Sequence, residues 1–182
     1  MSEIKSEKII ILGKSGSGKD YLLRNLSKKG LKAGLKWTTR PKRKLEVQGI
    51  NYNFVSEFKF KEAIKYGKFL VYQKFIVTPE NSDPQVWYYG LTKEEFINSQ
   101  IFIMTPGEYS MIPEKFRKKC FVVYLDIDRD TREKRLHIRE DKNDSIKRRL
   151  DSDDVDFKDL KGYDLKITDP EFNADDVYNL MN

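Results

Sequence analysis

Gly13-Lys14-Ser15-Gly16-Ser17-Gly18-Lys19-Asp20 decides how this chain folds. The stretch follows an apolar run, Ile9-Ile10-Ile11-Leu12, and opens a run of helical character, Tyr21-Leu22-Leu23-Arg24-Asn25-Leu26. Strand, glycine loop and helix in that order are the context of a P-loop. Glycines let such a loop turn its backbone N–H groups toward a phosphate, and the new helix adds its positive end. Gly13, Ser15, Gly16, Ser17, Gly18, Lys19 and Asp20 are therefore the expected nucleotide-binding residues. The Lys19 ammonium stands where it neutralises β- and γ-oxygens.

The residue after the lysine is ordinarily Ser or Thr, whose hydroxyl ligates Mg²⁺. Here it is Asp20. A carboxylate is also a hard oxygen ligand, but without a metal its charge repels phosphates. A nucleotide with Mg²⁺ is thus the expected bound species, and Asp20 the expected metal residue. The competing role is an acid that complements the helix dipole and nothing more.

Outward from this loop, strands alternate with helices. Residues 8–12, 69–72, 101–104, 121–125 and 164–168 read as strands, and 51–56 as a strand of a small β-region. Residues 19–29, 57–66, 130–140, 145–159 and 174–181 read as helices, with Gly67 stopping the second and Asn173 capping the last. Thr92 and Glu95 form a capping-box pattern for a helix reaching about residue 99. Residues 73–86 read as a long loop, with turn chemistry at Asn81-Ser82-Asp83-Pro84. The expected fold is α/β: a P-loop NTPase-type parallel sheet flanked by helices, with a small substrate-binding β-region and a helical lid.

Bulk properties narrow the function. A chain of 182 residues suffices for one domain with a real core. Its 35 Lys and Arg against 29 Asp and Glu give a net charge of +6, a modest excess that suits small polyanions better than nucleic acid. One cysteine, Cys120, and one histidine, His137, leave no thiolate–imidazole metal site. No signal-peptide core or membrane-length apolar run is present. A cytoplasmic protein, monomer or homodimer, with neither nucleic-acid nor membrane partners is expected.

A second constellation needs a functional explanation. Thr38-Thr39-Arg40-Pro41-Lys42-Arg43 is followed by Glu46, Gly49 and Tyr52-Asn53-Phe54, and later by Trp87-Tyr88-Tyr89-Gly90. Two guanidinium forks and neutral phenol donors are suited to clamping one phosphate. Spacings of three and four place Arg132, Arg135 and Arg139 on one helical face, suited to neutralising charge on a transferring phosphoryl group.

At these residues the chain resembles the guanylate kinase family, which carries a P-loop, then T-T-R-x-x-R-x-x-E-x-x-G-x-x-Y-x-F, then Y-Y-G, in this order. The likeness continues through the lid arginines to Ser145-Ile146-Lys147-Arg148-Arg149-Leu150. It implies one domain, with a core at about 1–35, 92–128 and 160–182, an acceptor region at about 36–91 and a lid at about 129–159. It also implies an ATP-dependent nucleoside monophosphate kinase. Arg40, Arg43, Tyr52 and Tyr89 would hold the acceptor's phosphate, and Lys19, Arg135, Arg139 and Arg149 would act on the transferring group. His137 falls at an exposed lid position.

The resemblance fails where the family reads guanine. Lys36, Val71 and Leu91 replace its polar readers, and Ile103-Met104-Thr105-Pro106-Gly107 replaces its acidic strand end. A guanine edge left unpaired costs about 1–3 kcal/mol per group, so a changed base preference is expected, with GMP or dGMP as the family default. The Gly-Lys-Asp ending also resembles ribose 1,5-bisphosphate phosphokinases and some phage deoxynucleotide kinases. A non-catalytic guanylate-kinase-like binding module is the alternative of another class. A P-loop ATPase or GTPase acting on macromolecules leaves the clamp unexplained.

Overall fold

The computed structural model describes residues 7–77, 83–138 and 145–180. In chain order its elements are β1 (Lys8–Gly13), α1 (Lys19–Lys28), β2 (Trp37–Thr38), β3 (Asn53–Phe54), α2 (Glu57–Lys65), β4 (Phe69–Val77), β5 (Gln85–Thr92) and α3 (Lys93–Asn98). They continue as β6 (Ile101–Ile103), α4 (Pro106–Met111), α5 (Glu114–Arg117), β7 (Cys120–Leu125), α6 (Arg129–Ile138), α7 (Ile146–Asp156), β8 (Leu165–Ile167) and α8 (Ala174–Asn179). The chain forms two compact units: residues up to Ala33 together with those from Gln100 onward, and Gly34–Ser99 between them.

The first unit carries the expected parallel sheet, in the order β6-β1-β7-β8. β1 is buried from Ile9 onward and β7 along its whole length, the condition that continuous apolar runs encode. The pairing register sets Gly13 beside Leu125. The glycine loop therefore emerges at the carboxyl ends of the strands, where open α/β sheets hold their ligands. Leu22 and Leu26, one helical turn apart on α1, join Ile9, Ile11, Val123 and Val177 in one core cluster. Each such side chain fully removed from water contributes about 1.5–3 kcal/mol. Cys120 opens β7 and is buried, its Sγ donating to the Phe116 carbonyl at 3.3 Å. Burial pushes its thiol pKa up to about 11.

Local chemistry sets the helix ends. Asn173 caps α8 by accepting from the Asp175 N–H at 2.9 Å. Thr92 caps α3 as its pattern predicted, accepting from Glu95 N–H at 3.1 Å. The Glu95 carboxylate, however, turns away to Leu35 N–H at 3.1 Å and to the Ser99 hydroxyl at 2.8 Å, so only half of the predicted box forms. The complete box lies at Thr105 and Glu108, with Pro106 in the first turn of α4. This helix and α5 were not legible as periodic segments because each spans less than two turns.

The second unit holds a mixed sheet in the order β3-β2-β5-β4. One face packs on α2: the Phe60 ring stacks on Phe69 at 4.4 Å and lies 5.3 Å from Tyr88, while Trp37 meets Phe69 edge-on at 5.8 Å. Here the sequence expectation needs correction. Both ends of the predicted 73–86 loop are strand: Gln73 pairs with Tyr89, and the ladder runs to Val77 opposite Gln85. Lys74, Phe75 and Ile76 are all exposed. With neither face of this stretch uniformly buried, no alternation marked it as a strand. Residues 81 and 82 of the predicted turn lie outside the described residues. Among the described residues, no helix is long and apolar enough to cross a membrane.

Gly90, the last residue of the Tyr-Tyr-Gly run, has a packing role. A Cβ there would fall 2.7 Å from the Phe69 ring and 2.9 Å from Phe60. Gly90→Ala should overpack this cluster and cost about 1–3 kcal/mol, read as a lower midpoint in thermal or urea unfolding.

Candidate functional site

In the first unit, the predicted loop residues form one tight cradle. Gly16 and Gly18 adopt φ of +79° and +97°, a left-handed region that side chains disfavour. At Gly16 there is also no space: a Cβ would lie 2.7 Å from the Arg132 carbonyl oxygen. The first helical bond runs from Leu22 N–H to the Gly18 carbonyl at 3.0 Å, so the preceding amides of α1 have no intrahelical acceptor. Ser17 Oγ is buried without a hydrogen-bond partner among the described residues. The Lys19 ammonium folds back across the loop, donating to the carbonyls of Gly13 at 2.6 Å and Lys14 at 2.9 Å. Asp20 is exposed in the first turn of α1.

The loop already holds an anion. The Ser15 N–H donates to Asp153 Oδ2 at 2.7 Å, and Lys14 Nζ donates to Asp154 Oδ1 at 2.9 Å. Both acids belong to α7. Arg135 reaches the loop from α6, donating through Nη1 to the Gly16 carbonyl at 3.4 Å and through Nη2 to Pro170 at 2.7 Å. Arg149 lies half-buried on α7. Arg139 falls outside the described residues. His137 is exposed, as expected, and sits 3.9 Å from Glu133.

Arg132 departs from the expected arrangement. It does not share an open face with Arg135. It is 1% exposed, donates through Nε to the Ile127 carbonyl at 3.0 Å, and lies 3.7 and 3.6 Å from Asp153 and Asp154. Helical spacing gave its angle on α6 but not what α6 would pack against. Asp153 and Asp154 themselves went unnoticed, since a polar helix of mixed charge reads as solvated.

In the second unit, Arg40, Arg43, Tyr52 and Tyr89 come together around Glu46. Arg40 is 4% exposed. Its Nη2 donates to Glu46 Oε1 at 2.6 Å and its Nη1 to the Pro41 carbonyl at 2.8 Å. The other Glu46 oxygen accepts from the Arg43 backbone N–H at 2.8 Å, so one carboxylate fixes both arginine positions. The Arg40 guanidinium lies 5.6 Å from the Tyr52 ring centre and 5.8 Å from that of Phe54. Tyr52 meets Tyr89 edge-on at 6.0 Å. The threonines before Arg40 pin the segment: Thr38 Oγ1 accepts from Arg40 N–H at 3.1 Å, and Thr39 Oγ1 from Tyr88 N–H at 2.9 Å.

Electrostatics keep these groups in phosphate-binding form. Burial pushes the Glu46 carboxyl upward, but hydrogen bonds from Arg40 and the Arg43 amide outweigh it and hold it below the usual carboxylate range. Burial opposes the charge on Arg40, and Glu46 more than restores it. Burial raises the Tyr89 phenol above its ordinary value against the pull of Arg40, so it remains an O–H donor. Val71 and Leu91 are 1% and 0% exposed; both are core residues with no polar group for a base edge. Lys36 is half-buried, its carbonyl accepting from Asn53 N–H at 2.9 Å.

A family profile described as guanylate kinase matches residues 5–78. The chain is 30% identical over 175 residues to a guanylate kinase of Nostoc sp., covering 91% of this chain and 83% of the relative. It is 30% identical over 174 residues to one of Rickettsia felis, covering 91% and 86%. Its fold is similar to the crystal structure of guanylate kinase from Anaplasma phagocytophilum, with a TM-score of 0.65 at 19% identity over 97% of this chain and 85% of that one.

The lowered Glu46 carboxyl fixes a pH dependence. A group depressed in the folded state stabilises fully above its unfolded value, about 4.3 for Glu, and that stability is lost as pH falls through the folded value. The stability difference between the parent protein and Glu46→Gln should be about 1.5–3 kcal/mol. It should stay flat from pH 8 to about 5 and shrink in stronger acid, as measured by urea unfolding at each pH.

Proposed function

The chain belongs to the guanylate kinase family, and we propose that it transfers the γ-phosphoryl group of ATP to the phosphate of a nucleoside or deoxynucleoside monophosphate. The observation that carries this is the Ser15 amide donating to a carboxylate oxygen at 2.7 Å, which supports reading the glycine loop as an anion cradle. In this reading the core covers about residues 1–35, 92–128 and 160–182, the acceptor region about 36–91 and the lid about 129–159.

The donor triphosphate lies along Gly13, Ser15, Gly16, Ser17, Gly18 and Lys19. Lys19, Arg135, Arg139 and Arg149 neutralise charge on the transferring group, which is the main task in phosphoryl transfer. The acceptor phosphate lies on Arg40, Arg43, Tyr52 and Tyr89. A guanidinium carries five N–H donors; Glu46 and Pro41 take two of those on Arg40. No side-chain base is needed, because the attacking phosphate is already an anion.

Mg²⁺ fits one way. Among the described residues no cluster of three or more His, Cys, Asp or Glu side chains is placed to cage an ion. One carboxylate together with substrate phosphate oxygens is an ordinary Mg²⁺ environment, and Asp20 is the residue that would supply it. The ion would draw charge from the β- and γ-oxygens.

A second acceptor reading is favoured by Val71 and Leu91, both buried and apolar. The acceptor is then another deoxynucleoside monophosphate or ribose 1,5-bisphosphate, and not a guanine nucleotide. ADP release measured over all common ribo- and deoxyribonucleoside monophosphates and ribose 1,5-bisphosphate separates the two. Activity on none of them overturns the kinase assignment in favour of a phosphate-binding module.

Lys19→Met should lower kcat by about 10²–10³-fold while leaving monophosphate binding intact. Arg43→Ala should raise KM for the acceptor by about 10–100-fold, the loss of a charge-assisted hydrogen bond, with KM for ATP unchanged. Equal effects on both substrates would contradict the clamp.

A further inference from the structure

The α7 acids occupy donors that a phosphate would use. Asp153 Oδ2 accepts from Ser15 N–H at 2.7 Å and lies 3.7 Å from Arg132 Nη1. Among the described residues that nitrogen is buried with no hydrogen-bond partner, being too far from Asp153 for one. Asp154 accepts from Lys14 at 2.9 Å, lies 3.6 Å from Arg132 Nη2, and also pairs with Arg129. Arg129 in turn donates to Asp151 at 2.7 Å. The loop, α6 and α7 are thus tied by carboxylates placed between a backbone amide and three cations.

A carboxylate oxygen and a phosphate oxygen make the same demand on an N–H donor: full or partial negative charge at about 2.7–2.9 Å. One amide serves one of them well. From this geometry we infer that Asp153 is an internal competitor of the donor triphosphate. Its carboxylate occupies the Ser15 amide in the nucleotide-free protein, and ATP must displace it to seat fully in the loop. The inference rests on the glycine loop being the donor site. Displacement removes one of the contacts that hold α7, which carries Arg149, so donor binding and the placement of that arginine are linked. The linkage has a cost: apparent donor affinity is the intrinsic affinity multiplied by the fraction of molecules in which the amide is free.

Direct titration of ATP and ADP, with Mg²⁺ and without acceptor, tests this in the full chain. Asp153→Asn keeps an acceptor oxygen for Ser15 but removes the charge, and should tighten ATP binding about tenfold. KM for ATP should fall while KM for the monophosphate holds. Because Asp153→Ala would leave Arg132 buried beside one acid fewer, Arg132→Met with Asp153→Ala is the second variant, and it should tighten ATP binding as well. Amide exchange across α7 should rise when ATP is added to the parent protein.

If Asp153 were only a strut for Arg132, the variants would unfold more easily while binding ATP no more tightly, and that result overturns the proposal. Parent protein that binds ATP normally, with variants that bind no better, removes the competitor and leaves the donor site standing. Parent protein that binds neither ATP nor ADP removes both.

Discussion

The Arg132 carbonyl oxygen fills the space where a side chain at residue 16 would begin, 2.7 Å from the Cβ position. Everything in the glycine-loop site depends on that close approach. It brings α6 against the loop between β1 and α1, places Arg135 within reach of the Gly16 carbonyl, and sets the Arg132 side chain beside the α7 acids. A methyl group at residue 16 would conflict with backbone, which cannot swing aside as a long side chain can, and would also have to accept a positive φ.

The second unit follows a different rule: one carboxylate organises a buried cation and the backbone of a second arginine. Burying Arg40 without a partner would be costly, and a buried pair is no great source of stability in itself. Its value lies in position. Glu46 holds a guanidinium and a backbone amide with its two oxygens, so the segment from Arg40 to Arg43 is fixed before any ligand arrives. Preorganisation of this kind lowers the ordering cost of binding. Thr38 and Thr39 extend it to the neighbouring strand.

What could be read from sequence divides along the range of the interactions. β1, the glycine loop and α1 are adjacent in the chain, and each carries a local signal: an apolar run, glycines with a lysine, a periodic helix. The same holds for Asn173 and Thr92, whose hydrogen-bond partners lie two and three residues away. The clamp residues were found through the spacing of a family motif, although Glu46 as its organiser was not. The misses are tertiary. Arg132 became buried because α6 and α7 pack together, and the pairing of Ser15 with Asp153 spans most of the chain. The β4–β5 ladder was hidden by its own exposure, since strand patterning marks only the strands that have an inside.

Cys120 has a quieter consequence. The chain's one sulfhydryl lies buried at the start of β7, with burial pushing its pKa to about 11. At neutral pH almost none of it is thiolate, the form that attacks oxidants and alkylating agents. A molecule built this way should keep its chemistry when the surrounding redox balance shifts. It also offers an almost blank background for maleimide tagging, so that a cysteine introduced on the surface would be the point at which a fluorophore attaches.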